Sequence, residues 1–129
     1  MVTIVVAERD FGMRALLGEW LVDEGYAVEF IDSLADAAAF EGRPVAACLV
    51  DVPNLHQYLN AQQAMSLPWS RLGAQGVPVI GMSTQLDETA AGGAGLAKSL
   101  GFALLLPKPC ERARMVASLN AVAFRHPAE

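Results

Sequence analysis

The sequence predicts an α/β fold, a doubly wound five-stranded parallel sheet with helices on both faces, and three observations carry that prediction. Five short apolar runs alternate with stretches at helical spacing, in the order βαβαβαβαβα. The connections are short, so the crossovers are right-handed and the strands parallel. Four of the runs end abruptly in polar residues: Glu8 and Arg9 after 4–7, Asp51 after 45–50, Ser83 after 77–82, and Lys108 beyond 103–106. In an open α/β sheet, chemistry collects just outside the carboxyl ends of the strands, so these four segments are expected to converge on one polar cluster around Asp51.

The elements follow in order. Residues 2–7 are wholly apolar and rich in β-branched side chains, as suits a strand covered on both faces. Asp10 is placed to cap the next helix. Met13, Leu16, Leu17, Trp20 and Leu21 form its apolar stripe, and Gly25 ends it as the residue after the cap. The second strand, 27–31, alternates Val28 and Phe30 with Glu29, a pattern expected nearer a sheet edge. Ser33 and Asp36 suggest a capping box for a short Ala-rich helix over 34–40, which Gly42 and Pro44 end. The central strand, 45–50, delivers Asp51, and Pro53 stops further pairing.

Residues 54–75 are the least regular part. Leu55, Tyr58, Leu59, Gln62 and Met65 suggest a helix broken at Pro68, with Trp69 as a lid over the core or an exposed contact aromatic. The fourth strand is 77–82. Asp87 caps a fourth helix over 88–100, closed by Gly101. Gly92, Gly93 and Gly95 each cost about 1 kcal/mol there relative to alanine, so this helix is expected to be short or mobile. Residues 103–106 make the fifth strand. A last helix over 111–124 turns Met115, Val116, Leu119 and Val122 inward, and 125–129 form a tail.

Composition narrows the function. The 129 residues suffice for one domain, 53% of them are hydrophobic and 18% charged, so the chain is expected to pack rather than stay disordered. A net charge of −5 and no Lys/Arg cluster argue against a nucleic-acid surface. Two cysteines, Cys48 and Cys110, are too few for a disulfide framework or a zinc site. No apolar run approaches the ~20 residues of a membrane span, and no signal core follows the N-terminus. The expectation is a cytoplasmic protein with no output domain.

At this point the chain resembles the receiver domains of two-component response regulators, over essentially all of residues 1–124. Val5-Val6-Ala7-Glu8-Arg9-Asp10 resembles the first strand and its acidic turn. Met13-Arg14 through Gly25-Tyr26 resembles the first helix and its end. Leu49-Val50-Asp51 resembles the phosphoacceptor strand, and Pro78-Val79-Ile80-Gly81-Met82-Ser83-Thr84 the strand with the switch hydroxyl. Leu106-Pro107-Lys108-Pro109 resembles the lysine loop, the most specific of these motifs.

The resemblance implies a flavodoxin-like receiver fold of strand order 2-1-3-4-5. It implies that Asp51 is the phosphoacceptor, that Lys108 pairs with the phosphoryl oxygens, and that Ser83 is the switch hydroxyl, with Leu105 at the companion switch position. A Mg²⁺ ion would be held by Glu8, Asp51 and the backbone carbonyl of Pro53. It implies no enzyme beyond phosphorylation and dephosphorylation of Asp51. The partners it implies are a histidine kinase or phosphotransfer protein, and a downstream protein met through the fourth helix, fifth strand and fifth helix, where homodimerisation is an option and Trp69 a candidate contact.

The departures are equally specific. Arg9 stands where the family has a metal-binding acid. A hard Mg²⁺ ion takes oxygen ligands. At ~6 Å and an effective dielectric of ~20, each unit of charge changes the interaction with a divalent ion by roughly 5 kcal/mol before screening. Arg9 is expected to point inward and pair with Asp51 or Glu8. Turned outward it leaves a weakened site, with Asp10 as a substitute acid or a helix cap. Leu105 replaces the usual aromatic, and no Asp-Gly turn follows Val52-Pro53-Asn54-Leu55. The leading expectation is therefore a stand-alone receiver in a phosphorelay with an atypical metal site. The alternative is a degenerate receiver that acts as a phosphorylation-independent interaction module. A flavodoxin-like binder of nucleotides or other anions is a third reading, and the lack of a Gly-rich loop after the first strand weighs against it.

Overall fold

The computed structural model describes residues 2–32, 43–52, 69, 72–73, 75–84, 97–98, 100–108 and 110–125. Its elements are β1 (Thr3–Ala7), α1 (Phe11–Asp23), β2 (Ala27–Ile31), β3 (Ala47–Asp51), β4 (Val79–Ser83), β5 (Leu104–Pro107) and a C-terminal helix, α2 (Arg112–Arg125). The five strands form one sheet of order β2-β1-β3-β4-β5, and every pairing is parallel. The expected fold class and strand order are both observed. β2 and β5 lie at the edges, which is where Pro107 is tolerated in a strand, since it has no N–H to donate.

Alternation along each strand divides the core into two layers. Ile4 and Val6 of β1 and Leu49 of β3 pack with Leu17 and Leu21 of α1 and Met115 and Leu119 of α2. Val5, Ala7, Cys48 and Val50 face the other way, toward Trp69, Leu72, Ala97, Leu100 and Phe102. Both faces of the central strands are thus buried, which explains their unbroken apolar sequence. Trp69 belongs to this second layer. It is 2% exposed, its ring stacks on Phe102 at 4.4 Å, and its indole N–H donates to the carbonyl of Leu100 at 2.6 Å. It is a core residue, so its candidacy as a contact aromatic is withdrawn.

The Asp10 carboxylate accepts from the backbone N–H of Met13 at 2.7 Å, capping α1 as expected. Gly25, at φ +90°, closes the helix: Gly25 N–H donates to Val22 O and Tyr26 N–H to Leu21 O, the paired bonds of a Schellman motif. The same pair of bonds ends the segment before β5 at Gly101 and the one before β4 at Gly76, the latter not anticipated from sequence. The stripe expected on α1 is observed except at Leu16: Met13 and Trp20, partly buried, pack against the same core cluster as Leu17 and Leu21. Only Leu17 and Leu21 are buried there, and Leu16 is 40% exposed.

β2 spans 27–31 as expected and β1 ends at Ala7 as expected, while β3, β4 and β5 begin and end one to two residues later than their apolar runs suggest, so Asp51 and Ser83 are the last residues of β3 and β4 rather than the first residues after them. The short helix expected over 34–40, the broken helix after Pro53, the glycine-bearing stretch at 92–95, the Lys108-Pro109 bond and the tail after 125 lie outside the described residues.

Candidate functional site

Register brings the polar strand ends together. Ala7 of β1 faces Val50 of β3, which sets Glu8 level with Asp51. Asp51 faces Met82, with Ser83 one residue further on. Ser83 faces Pro107, with Lys108 one residue further on, and the Lys108 N–H donates to the Ser83 carbonyl at 3.0 Å. Four segments distant in sequence therefore end within one small region, at the carboxyl edge of the sheet.

At its centre is an ion triad. The ammonium Nζ of Lys108 lies 2.5 Å from Glu8 Oε1 and 3.0 Å from Asp51 Oδ1. The Glu8 side chain is 1% exposed, that of Lys108 17% and that of Asp51 25%. Asp51 is thus the member of the triad most open to an incoming molecule.

Burial dominates the titration of Glu8 and raises its carboxyl above the ordinary value. The Lys108 ammonium opposes that rise, and the neighbouring Asp51 carboxylate adds to it. For Lys108, burial alone works against the charged form. The hydrogen bonds to Glu8 and Asp51 outweigh it, and the ammonium is held above its usual value. The triad therefore holds a firmly protonated lysine.

Arg9 does not point inward. It is exposed, and its backbone N–H donates to Glu8 Oε2 at 3.2 Å. Successive residues leaving a strand project to opposite sides, so once Glu8 faces the pocket, Arg9 faces solvent. The cation that bridges Glu8 and Asp51 is that of Lys108, not Arg9. Asp10 is not a substitute acid, because its carboxylate caps α1.

Ser83 is fully buried at the end of β4. Leu105 is buried as well, at 8% exposure, and lies across Gly81 of the neighbouring strand. A Cβ on Gly81 would meet Leu105 Cδ2 at 2.7 Å and Phe102 Cζ at 2.9 Å. Glycine at 81 is what lets Leu105 pack inward, a contact the isolated motif does not reveal. Pro53, expected to offer its carbonyl to a metal, lies outside the described residues.

Sequence reasoning missed Arg14. Its Nε donates to the carbonyl of Glu8, and its Nη2 pairs with Asp32 Oδ1 at 2.5 Å. Its position one helical turn after Asp10, facing a carboxylate at the end of β2, was the available signal.

No family model and no curated protein matches the sequence. Solved structures do. The receiver domain of the TMAO respiratory system response regulator TorR is 19% identical, with 98% of this chain and 99% of that chain covered and a TM-score of 0.70. The fold is that of a response-regulator receiver domain. A second receiver, that of the sensor histidine kinase PA1611 from Pseudomonas aeruginosa PAO1, is 20% identical over 95% of this chain and 98% of that chain, with a TM-score of 0.69. Full-length FixJ from B. japonicum is 28% identical with a TM-score of 0.66; 99% of this chain is covered but 59% of that one.

The PA1611 receiver holds a magnesium ion in its active-site cleft. Among the described residues, the groups a Mg²⁺ ion would meet already have other partners. Glu8 and Asp51 are both engaged by the Lys108 ammonium, Asp10 caps α1, and Arg9 brings no oxygen ligand. Among the described residues no group of three or more His, Cys, Asp or Glu side chains is placed to hold a metal ion. No described helix is long and apolar enough to cross a membrane.

Proposed function

We propose that this receiver-fold chain is a signalling module of the two-component type whose Asp51 accepts a phosphoryl group, with pocket charge supplied by Lys108 rather than by a metal ion. The observation that carries the reading is the Lys108 ammonium, 3.0 Å from Asp51 and itself held by the buried Glu8. A carboxylate oxygen of Asp51 attacks the phosphorus of a phosphohistidine or an acyl phosphate. The P–N or P–O bond to the donor breaks, its electron pair leaves with the donor, and the product is an aspartyl phosphate. Phosphoryl transfer depends mainly on positioning and charge stabilisation. A preorganised ammonium beside the acceptor supplies part of that stabilisation. Ser83, at the end of the adjacent strand, is the hydroxyl proposed to meet the phosphoryl group. The donor is a histidine kinase or phosphotransfer protein, and the readout passes to a protein partner.

The experiment is incubation of the full chain with acetyl phosphate, with intact mass as readout and Asp51→Ala as control. A phosphoryl increment present in the wild type and absent from the control supports the reading. A wild-type chain that stays unlabelled by acetyl phosphate and by phosphohistidine donors overturns it. A second reading, a phosphorylation-independent interaction module, is favoured by one observation: Lys108 already pairs with both carboxylates, so their charge is balanced without a phosphoryl group.

A further inference from the structure

We propose that Arg14 is the positioning residue of this pocket: it fixes the Glu8–Arg9 peptide, and so determines that Glu8 rather than Arg9 faces Lys108 and Asp51. Only the kinetic arm of the test below rests on the phosphoacceptor reading of Asp51.

Both ends of that peptide are held. On the carbonyl side, Arg14 Nε donates to Glu8 O. On the amide side, Arg9 N–H donates to the Glu8 carboxylate at Oε2, while the other carboxylate oxygen accepts from Lys108. A continuous chain of polar contacts thus runs from Asp32, at the end of β2, through Arg14 and the Glu8–Arg9 peptide to Lys108 and Asp51.

The guanidinium is itself constrained. It lies 5.5 Å from the ring centroid of Phe30 and 5.7 Å from that of Phe11. Its planar fork presents two donors in fixed geometry, one for a carbonyl and one for a carboxylate. Asp32 is 78% exposed, and exposed ion pairs contribute little to stability. The pairing with Asp32 therefore serves to aim the fork rather than to hold the fold. Without the carbonyl contact the peptide is held from its amide side alone, and a turn rotated about that remaining contact moves the Glu8 carboxylate away from Lys108.

The test uses the full chain with Arg14→Lys, Arg14→Leu and Asp32→Asn. Lysine keeps the charge and the reach to Asp32 but cannot make both contacts, so it restores a merely electrostatic role and not a positioning one. Two signals are read: the Arg9 amide proton, shifted downfield by its bond to a carboxylate, and the rate of Asp51 labelling by acetyl phosphate. In Arg14→Lys the amide proton moves upfield and labelling slows by about tenfold or more, as expected for displaced reacting groups. Wild-type values of both signals in Arg14→Lys overturn the proposal. If both Arg14 variants fail to fold, Asp32→Asn decides: a smaller upfield movement supports the proposal, and an unmoved Arg9 amide overturns it. A wild-type chain that takes no label removes the phosphoacceptor reading, and the amide signal still decides the role of Arg14.

Discussion

The pocket has two sides, and they differ in how far they match the receiver pattern. On the β3–β4–β5 side, Asp51, Ser83 and Lys108 lie at the ends of adjacent strands, as the proposed phosphoryl-handling site requires. On the β1 side, the turn that would hold a metal carries one buried carboxylate, one exposed guanidinium and one helix cap. The same strand register delivers both sides. Backbone position and side-chain chemistry are therefore separable: the sheet brings Glu8, Asp51, Ser83 and Lys108 to one edge, and their identities decide what that edge can do. Lys108 joins the two sides, because its ammonium lies between a carboxylate from each.

Removing that joint has the largest expected effect. Lys108→Met leaves Glu8 buried beside Asp51 with no counter-ion. Breaking a buried pair in this way costs about 3 kcal/mol, read by urea unfolding at neutral pH. The pH dependence has a definite sign. Glu8 already titrates above its ordinary 4.5, so its ionisation opposes folding, and that cost is relieved as pH falls through its raised value. In Lys108→Met the relief begins at a higher pH than in the wild type, because the ammonium no longer restrains the rise. In the wild type, Lys108 titrates above its ordinary 10.5. Its stabilising contribution is intact below that pH and is lost as pH rises through the raised value.

The two sides can next be separated from the packing beneath them. Gly81→Ala forces a methyl group against Leu105 and Phe102. Overpacking of this kind costs about 1–3 kcal/mol, again read by urea unfolding, and Leu105→Ala in the same chain restores part of the loss. An unchanged stability in Gly81→Ala would mean that Leu105 leaves its inward position easily.

Smaller still is Asp51→Asn, expected to cost about 1 kcal/mol for one lost charge-assisted contact, since Lys108 retains Glu8. The same variant loses all phosphoryl labelling. The smallest change in stability is expected for Arg9→Asp, within about 0.5 kcal/mol, because the side chain is exposed and outside the triad.

Much of this arrangement was legible in the sequence. The apolar runs ending near Glu8, Asp51, Ser83 and Lys108 located the polar cluster at the sheet edge, since a parallel sheet brings its strand ends to one edge. Asp10 and Gly25 marked the ends of α1 because a cap and a left-handed glycine are local requirements. What the sequence left open depends on orientation. Arg9 was expected inward because a guanidinium between carboxylates is electrostatically attractive. Once Glu8 is held in the pocket, backbone alternation sends Arg9 outward, and Lys108 fills the role instead. Arg14 and the Gly81–Leu105 contact were hidden for a similar reason, since each joins elements whose relative placement no single motif specifies. Leu16, spaced like a core residue, is 40% exposed, at the margin of a helix face that packs through Met13, Leu17, Trp20 and Leu21.

The central claim, that Asp51 is an acceptor served by Lys108 rather than by a metal, meets its most direct test in the metal dependence of labelling. Wild type and Arg9→Asp would be exposed to acetyl phosphate in EDTA and in millimolar Mg²⁺, with the phosphoryl mass increment followed over time. The expected result is a rate that Mg²⁺ changes little in both chains, because position 9 faces solvent and Lys108 already lies against Glu8 and Asp51. A wild-type chain labelled only when Mg²⁺ is present would contradict the account, and would mean that Glu8 and Asp51 leave Lys108 to bind the ion.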